Sequence, residues 1–393
     1  MLIKLYAKYY LIVIFLFYFS QSLSCTNFSV STKNNVIVAR TLDFESNLGN
    51  QFALGYQGDL NSSNLNLNKK APVFYWKNKY AFLGQTGMHN PIIIDGINSR
   101  GVYAGYFYLP GITKYPKLNS QLKKPALGIF DVVNYILGVA SSVKDADKLL
   151  SRVQIVNNAV SLDPTHSNSP FAIMPMQILI RDKSGASMVI EFINKKAIFF
   201  RHPGHVLTNA PSLSWQLRNA RKYDYVKTNL SHLKYDGQLM SGSGFVGIPG
   251  DWTPPGRFVR MTQVIRHFPK CQSDAQALYL ARQGLGIVTV NLGVNPSPTL
   301  WVSISNLKKG VYYFRPLLNV VNAKKHIYSP MRDDINSWRE YNLKKVVAQG
   351  QIPKGWLRAR ISQAKKVTSY VNMMVINRDF TENVTPSFSP KKK

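Results

Sequence analysis

The sequence contains very little cysteine and comparatively little negative charge. Cys25 and Cys271 are the only cysteines among its 393 residues, so a scaffold held by several disulfides is excluded and most of the stability must come from a buried core. The 19 Asp and Glu residues are outnumbered by 49 Lys and Arg residues, which leaves a formal net charge of +30. Such an excess predicts attraction to anionic surfaces, but charge alone does not identify a function.

The common cofactor, metal and nucleic-acid motifs are also missing. The sequence has no P-loop, no dinucleotide-binding glycine motif and no zinc-type spacing of cysteine and histidine, so we expect no cofactor and no metal. Its basic residues are dispersed, so we expect no nucleic-acid partner. The composition that remains, with 45% hydrophobic and 17% charged residues, is typical of a globular protein with one large domain or two at most.

The start of the chain has the pattern of a secretory signal peptide. Lys4 and Lys8 precede an apolar run from Tyr9 to Phe19, which is shorter than the roughly 20 residues that a membrane-spanning helix needs. Ser22 and Ser24 then satisfy the small-x-small rule for cleavage. The sequence therefore predicts a signal peptide at 1–24 and an exported protein, periplasmic or secreted, that keeps a net charge of +28.

Cleavage after Ser24 would leave Cys25 with a free α-amine beside its thiol. Two other interpretations compete with a role in catalysis. A lipoprotein also begins at a cysteine, but its signal requires an aliphatic residue three positions earlier, where this chain has Ser22. A disulfide between Cys25 and Cys271 is the interpretation that the cysteine count alone favours in an exported protein.

The residues that follow favour a nucleophile. The segment from Cys25 to Val30 alternates like a strand, and a turn at Lys33–Asn35 leads to a second strand ending in Arg40 and Asp43. The hairpin would return these two charges to the level of the thiol. An α-amine, with an unperturbed pKa of roughly 7.7 to 8.0, can accept the thiol proton. A guanidinium favours the thiolate, and a carboxylate can orient the amine.

Further motifs follow in order along residues 25–260. They are Arg40–Phe44, Asp95–Val102, Leu109–Gly111, Leu207–Pro211 with Trp215–Leu217, and Ile248–Trp252 with Arg257–Arg260. Together with Cys25, they resemble the choloylglycine hydrolases, which comprise conjugated bile salt hydrolases, penicillin V acylases and related linear-amide hydrolases of the N-terminal nucleophile superfamily. The resemblance implies an α+β fold, a four-layer αββα sandwich of two antiparallel sheets between helices.

The resemblance also implies roles for individual residues. Asn209, which follows a strand, takes the position of an oxyanion-hole donor. Tyr108 takes a second such position, but several relatives have Asn there, so its hydroxyl alternatively lines the acyl pocket. Arg257, rather than Arg260, takes the place of the second active-site cation. The catalytic set expected in this chain is Cys25, Arg40, Asp43, Tyr108, Asn209 and Arg257.

Other patterns outline the rest of the domain, which we place at 25–379 with a flexible basic tail at 380–393. Asp95–Gly96 and Arg100–Gly101 predict a tight connection between core strands, and Asp182–Gly185 predicts a hairpin turn. Strand signals cluster at 27–43, 80–109, 172–208 and 286–315. Helical periodicity occurs at 126–152 and 258–286.

These features predict an enzyme that cleaves a linear amide C–N bond through a Cys25 thioester. The aromatic segments Tyr103–Tyr108 and Tyr75–Trp76 suggest an apolar acyl pocket for a small N-acyl amide. Penicillin V or N-acyl-homoserine lactones rank first as substrates, and conjugated bile salts second. The positive charge is compatible with contact with an anionic membrane surface, and the sequence is also compatible with a homo-oligomer. The alternative is an inactive basic secreted protein that binds membranes or lipopolysaccharide, whereas a Cys-His protease lacks its local signature.

Overall fold

The computed structural model describes residues 24–359 except residue 47 and residues 64–73, 88–89, 120, 122, 162–170, 229–233, 240–243, 324 and 332–336. The predicted signal peptide, apart from Ser24, and the predicted tail at 380–393 lie outside the described residues.

Short strands make up most of the described part of the chain. In chain order they are β1 (Ser24–Ser31), β2 (Val36–Asp43), β3 (Phe52–Gly55), β4 (Leu60–Ser62), β5 (Tyr75–Lys77), β6 (Phe82–Gly87), β7 (Asn90–Asn98), β8 (Val102–Tyr108), β9 (Ala126–Gly128), β10 (Gln154–Val156), β11 (Val160–Ser161), β12 (Phe171–Ala172), β13 (Met176–Asp182), β14 (Ser187–Ile193), β15 (Lys196–Arg201), β16 (Val206–Leu207), β17 (Lys234–Tyr235), β18 (Gln238–Leu239), β19 (Thr299–Asn306), β20 (Val311–Pro316), β21 (Leu318–Asn322), β22 (Ile327–Pro330), β23 (Arg339–Asn342) and β24 (Leu357–Arg358).

The helices are fewer and mostly lie between groups of strands. They are α1 (Val132–Val139), α2 (Val143–Leu150), α3 (Leu213–Arg221), α4 (Pro254–Arg266), α5 (Asp274–Val288) and α6 (Leu343–Ala348), and a 3₁₀ turn at Ile129–Asp131 precedes α1. Side chains of Ser142, Thr253 and Ser273 accept backbone N–H bonds at the starts of α2, α4 and α5, which satisfies donors that have no partner within the helix. Within the described ranges, no helix is long and apolar enough to cross a membrane.

Two sheets form the centre of the fold. The six-stranded sheet has the order β16-β1-β2-β19-β20-β23, and every pair in it is antiparallel. The eight-stranded sheet has the order β15-β14-β13-β8-β7-β6-β3-β24, and its single parallel pair is β3 with β24. The hairpins predicted for residues 25–43 and at Asp182–Gly185 are confirmed as β1-β2 and β13-β14.

Helices cover the outer faces of both sheets. Helices α4 and α5 pack on β1, α5 also packs on β2, and α1 and α2 pack on β7, β8 and β13 of the other sheet. Gly284 of α5 allows close contact, because a Cβ atom there would lie 2.7 Å from the Phe28 ring. The buried inner faces of the sheets meet in a continuous apolar core. This is the αββα sandwich that the resemblance implied.

Several predicted boundaries were wrong. The predicted helix at 126–152 begins as strand β9 and contains two helices. The predicted helix at 258–286 is likewise two helices, separated by residues 267–273, which include Pro269. The strand predicted from residue 286 begins only at Thr299, because α5 continues to Val288. Asp95–Gly96 lies within β7, and the turn is formed by residues 99–101, with Gly101 at a φ of +80°.

Candidate active site

Cys25 lies at the start of β1, on the face that packs against the eight-stranded sheet. Its side chain is 5% exposed and lines a cavity of about 40 Å³. Cys25 pairs with Leu42 across the β1-β2 ladder, and both side chains face the cavity because paired residues share a face. The other residues around the cavity are Arg40, Asp43, Phe44, Leu48, Gly87, Ile94, Tyr106, Tyr108, Met174 and Met176.

Arg40 is buried beside Cys25 and is held by the opposite sheet. Its Nη2 donates to the Tyr106 carbonyl at 2.7 Å, and its Nη1 donates to the Ile94 carbonyl and lies 3.5 Å from Asp95 Oδ1. Burial alone would lower the pKa of Arg40, but Tyr103 and Asp95 outweigh that effect and raise it. Arg40 is therefore a permanent cation next to the thiol.

Asp43 and Arg257 form a second buried charged pair. Arg257 Nη1 lies 3.2 Å from Asp43 Oδ2 and also donates to the Thr26 hydroxyl, while Thr299 donates to Asp43 Oδ1 at 2.6 Å. Both side chains are inaccessible to solvent. Burial raises the pKa of Asp43 to about 6, although Arg257 and bonds from Thr299 and Thr41 oppose the rise. Burial also lowers the pKa of Arg257.

Asn209 reaches Cys25 through strand register. Leu207 of β16 pairs with Asn27 of β1, and the same register extended by two residues brings Asn209 opposite Cys25. The Asn209 Oδ1 atom accepts the backbone N–H of Cys25, and Asn209 Nδ2 donates to the Tyr108 carbonyl at 2.7 Å. Gln216 of α3 donates to the Asn209 carbonyl at 3.3 Å and so fixes the loop that carries it.

The structure brings all six sequence-predicted residues together around Cys25, but it pairs the charges differently. Arg40 and Asp43 lie on opposite faces of β2, so Arg40 faces the second sheet and Asp43 faces helix α4. The Cys25 N–H is bound by Asn209 rather than by Asp43. Tyr108 is half-buried and is one of the residues that line the cavity, and Asn209 binds its carbonyl.

The environment of the thiol has opposing effects on its ionisation. Burial raises the pKa of the Cys25 thiol, whereas Arg40 and the backbone of Asp43 oppose this. In the chain with residue 24 attached, the nitrogen of Cys25 is a peptide nitrogen, which has no basic lone pair. The site can therefore deprotonate the thiol through its own nitrogen only once that nitrogen is an amine.

The disulfide interpretation is contradicted. Cys25 and Cys271 are both free. The backbone of Cys271 forms an isolated β-bridge with that of Thr32, just beyond the end of β1 that is opposite to Cys25. Thr32 lies seven steps along the extended strand from Cys25, a length of roughly 23 Å, whereas disulfide-bonded Cα atoms lie within about 7 Å of each other.

Several residues at the site differ from what the sequence predicts. Asp95 is predicted to have a structural role in a turn, but it is the carboxylate that faces Arg40 and accepts from Tyr103, Ser303 and Tyr312. Tyr75 and Trp76 are not among the residues that line the cavity beside Cys25, and Trp76 packs instead against Phe74 and Tyr135. The lining residues Met174 and Met176 had no recognisable motif. In the described ranges no group of three His, Cys, Asp or Glu residues could hold a metal ion.

The αββα sandwich with this site at the start of its first strand is an N-terminal nucleophile hydrolase fold. Solved structures that share it include a variant of conjugated bile acid hydrolase from Clostridium perfringens (TM-score 0.63, 21% identity, 82% of this chain and 93% of that one) and penicillin V acylase from Agrobacterium tumefaciens (TM-score 0.60, 23% identity, 75% of this chain and 84% of that one).

Residues 25–328 match the model of the linear amide C-N hydrolases, choloylglycine hydrolase family. The chain belongs to this family, and it is a linear amide C–N hydrolase. Its sequence is 26% identical to a bile salt hydrolase/transferase of Clostridium perfringens over 75% of this chain and 90% of that protein. It is 25% identical to a penicillin V acylase of Pectobacterium atrosepticum over 65% of this chain and 69% of that protein.

Proposed function

We propose that the protein is an exported acylase whose nucleophile is Cys25, exposed as the N-terminal residue by removal of residues 1–24. The observation that carries the proposal is the contact between the Cys25 nitrogen and Asn209, in a cavity that also holds Arg40 and Asp43. The nitrogen that would become the amine is already oriented beside the thiol. The match to the family begins at Cys25, which agrees with a chain that functions from this residue onward.

The chemistry follows from the groups around the thiol. The α-amine takes the thiol proton, and Cys25 Sγ attacks the carbonyl carbon of the substrate amide. The oxyanion accepts hydrogen bonds from the Asn209 amide and from backbone N–H groups. The protonated amine then gives its proton to the leaving nitrogen, the C–N bond breaks, and a thioester remains. Water activated by the same amine hydrolyses the thioester and restores the thiol.

The two buried charged pairs keep this arrangement in place. Arg40 stabilises the thiolate electrostatically, which offsets the cost of burying it. Arg257 binds both Asp43 and the Thr26 hydroxyl, and so it links Asp43 to the start of strand β1. Both cations are fixed by backbone carbonyls, Arg40 by Ile94 and Tyr106 and Arg257 by Trp252, so they need little reorganisation during the reaction.

The lining of the cavity supports an apolar acyl group as the part of the substrate that enters beside the thiol. Leu42, Phe44, Leu48, Ile94 and Met176 offer no charge to an acyl chain. We rank penicillin V and N-acyl-homoserine lactones first and conjugated bile salts second. The names of the relatives, a bile salt hydrolase/transferase and a penicillin V acylase, include representatives of both groups.

The proposal is tested by mass spectrometry of the exported chain and by assay of three amides, a phenoxyacetyl amide, an N-acyl-homoserine lactone and a glycine-conjugated bile acid. We expect an unmodified N-terminal Cys25 and hydrolysis of at least one amide. Cys25→Ala should abolish turnover, whereas Cys271→Ala, which also removes a buried free thiol, should retain it. A blocked or extended N-terminus in active protein, or activity in Cys25→Ala, would refute the proposal. Salt-sensitive membrane binding without amidase activity would support the inactive alternative.

A further inference from the structure

Helix α3 begins four residues after Asn209, and a carboxyl group from a different element holds its start. The side chain of Ser212, which precedes the helix, accepts no N–H there. Glu191 of β14 takes this role, because its Oε1 accepts the Leu213 N–H at 2.6 Å. The Glu191 side chain is closed to solvent, and the proposed reaction does not use it.

Two buried glutamines bind the loop between β16 and α3 through their amide nitrogens. Gln177 Nε2 donates to the Thr208 carbonyl at 2.7 Å. Gln216 Nε2 donates to the Asn209 carbonyl and to the Thr208 hydroxyl, both at 3.3 Å. Because a carbonyl oxygen can only accept, each amide must present its nitrogen to the loop, and its nitrogen and oxygen cannot be exchanged.

Three oxygens of these side chains have no donor. Gln177 Oε1, Gln216 Oε1 and Glu191 Oε2 are buried and have no hydrogen-bond partner among the described residues. The register of β13 with β14, extended by one residue, brings Gln177 opposite Glu191, so both side chains lie on one face of the sheet. An ionised carboxylate only accepts and would leave all three oxygens unpaired. A proton on Glu191 Oε2 turns that oxygen into a donor to its neighbour.

The surroundings of Glu191 favour the same proton. Burial raises the pKa of Glu191 to about 7, although the Leu213 N–H opposes the rise. On the adjacent strand β13, the Arg181 guanidinium donates instead to Asn27 Oδ1 at 3.3 Å and to the Gly204 carbonyl at 2.9 Å. The other titratable residues on or beside β13, β15 and the segment from β16 to α3 are Asp182, at the far end of β13, and the exposed Lys114, Lys196, Arg201, His205, Arg218 and Arg221. The start of α3 favours a carboxylate, but one N–H bond cannot satisfy both oxygens of a buried one.

We propose that Glu191 is a positioning residue that works as a neutral carboxylic acid: its hydroxyl donates to the Gln177 amide oxygen, and the side chains so joined hold Asn209 towards Cys25. This inference rests on the role of Asn209 in the proposed function. Loss of the proton leaves the Gln177 oxygen without a donor and loosens the loop that carries Asn209. Glu191 is not among the residues that line the cavity beside the thiol, so the loss should lower kcat and leave KM unchanged.

The ratio of kcat in wild type to kcat in Glu191→Gln, measured across pH with one amide substrate, tests the proposal. Glutamine keeps the acceptor for the Leu213 N–H and has a permanent donor in place of the hydroxyl. Titration of the amine and thiol of Cys25 is common to both proteins and cancels in the ratio. We expect kcat values within about twofold at about pH 6, and wild type slower by at least about fivefold at about pH 8, with KM within about twofold throughout.

The matched control is Glu340→Gln, the same change at an exposed position of β23, for which the ratio should not depend on pH. Glu191→Leu, which has neither donor nor acceptor, should lower kcat by at least about fivefold at every pH. A ratio independent of pH for Glu191→Gln would overturn the proposal. So would a lower kcat in Glu191→Gln than in wild type at about pH 6, which would show that the carboxylate is required.

Infrared difference spectra of wild type and Glu191→Gln, both carrying Cys25→Ala, detect the proton without any turnover. We expect the C=O band of a protonated carboxyl group at about pH 6 and its loss by about pH 9. Absence of the band at about pH 6 would overturn the proposal. If the band is present but the protein with Cys25 intact hydrolyses no amide, the proposed function fails together with the positioning role. If that protein is active and the kinetic ratio is constant, only the positioning role fails.

Discussion

Asp43 and Arg257 form an ion pair that is closed to solvent, with 3.2 Å between Asp43 Oδ2 and Arg257 Nη1, although 214 residues separate them in sequence. The pair joins the end of β2 to the first turn of helix α4. Arg257 also binds Thr26, the neighbour of Cys25, so the pair fixes the segment that carries the thiol.

Arg257→Lys should lower kcat/KM by about 10- to 100-fold. A lysine cannot bind Thr26, Asp43 and the Trp252 carbonyl together, and charged hydrogen bonds contribute about 1.5 to 3 kcal/mol each. Arg260→Lys is the control on the same helix, because Arg260 binds the Pro249, Asp251 and Ile287 carbonyls instead. It should change kcat/KM by less than about fivefold, or about 1 kcal/mol. Equal losses in steady-state kinetics would contradict the assigned role.

Asp95→Asn should lower the free energy of unfolding by about 3 kcal/mol or more. The Asp95 side chain is buried, faces Arg40 and accepts from three hydroxyls, so its loss leaves a buried cation without its carboxylate. The control Asp147→Asn breaks an exposed pair with Arg201 and should cost less than about 1 kcal/mol. Urea unfolding measures both variants. Similar losses would show that Asp95 is not the centre of this network.

The stability of the Glu191→Gln variant relative to wild type should increase as the pH rises. Burial raises the pKa of Glu191 to about 7, above the value of about 4.3 in an unfolded chain, so the folded state binds its proton more tightly. This contribution is complete below about pH 4 and is lost as pH rises through 7. Glutamine keeps the oxygen that accepts the Leu213 N–H at the start of α3.

Wild-type stability should therefore fall relative to Glu191→Gln between pH 5 and 8, by on the order of 2 kcal/mol. Unfolding at several pH values measures the difference. The control is Glu340→Gln at an exposed position of β23, which should show no such trend. A constant difference across this range would mean that Glu191 is ionised throughout.

Tyr108→Phe should leave kcat within about fivefold of wild type, because Tyr108 lines the cavity and the proposed mechanism assigns the oxyanion to the Asn209 amide. Tyr108→Ala should instead raise KM by removing part of the acyl pocket. If the Tyr108 hydroxyl were a donor to the oxyanion, Tyr108→Phe would lower kcat by about 100- to 1000-fold. Kinetics of the two variants therefore decide between the roles left open by the sequence.

Local patterns predicted much of the frame around the site. The β1-β2 hairpin follows from alternation and a turn within twenty residues, and the β13-β14 hairpin from a four-residue turn. The order of the family motifs along the sequence predicted Asn209 and Arg257 as site residues. Even the separation of Arg40 and Asp43 is present in the sequence, since residues three apart on a strand face opposite sides.

The partners of these charges were beyond local patterns. Asp95 faces Arg40 because two strands 55 residues apart come to face each other in different sheets, and nothing near either residue signals that contact. A cavity of about 410 Å³ between β3, β19, β20 and the residues before β24 likewise forms only when both sheets are complete. The predicted helix at 126–152 began too early for a different reason, because a short apolar run fits a buried strand or a buried helix equally well.

Ser24 is paired with Asp43 in the β1-β2 ladder, so the peptide bond that would be cut under the proposed function belongs to a strand already incorporated in a sheet. A peptidase binds its substrate as an extended, unpaired segment, and a bond in a closed ladder does not offer one. If the protein is exported and cleaved as proposed, cleavage would have to precede closure of the sandwich, and the timing of folding would set the yield of competent enzyme. Precursor that folded too early would accumulate with its leader attached.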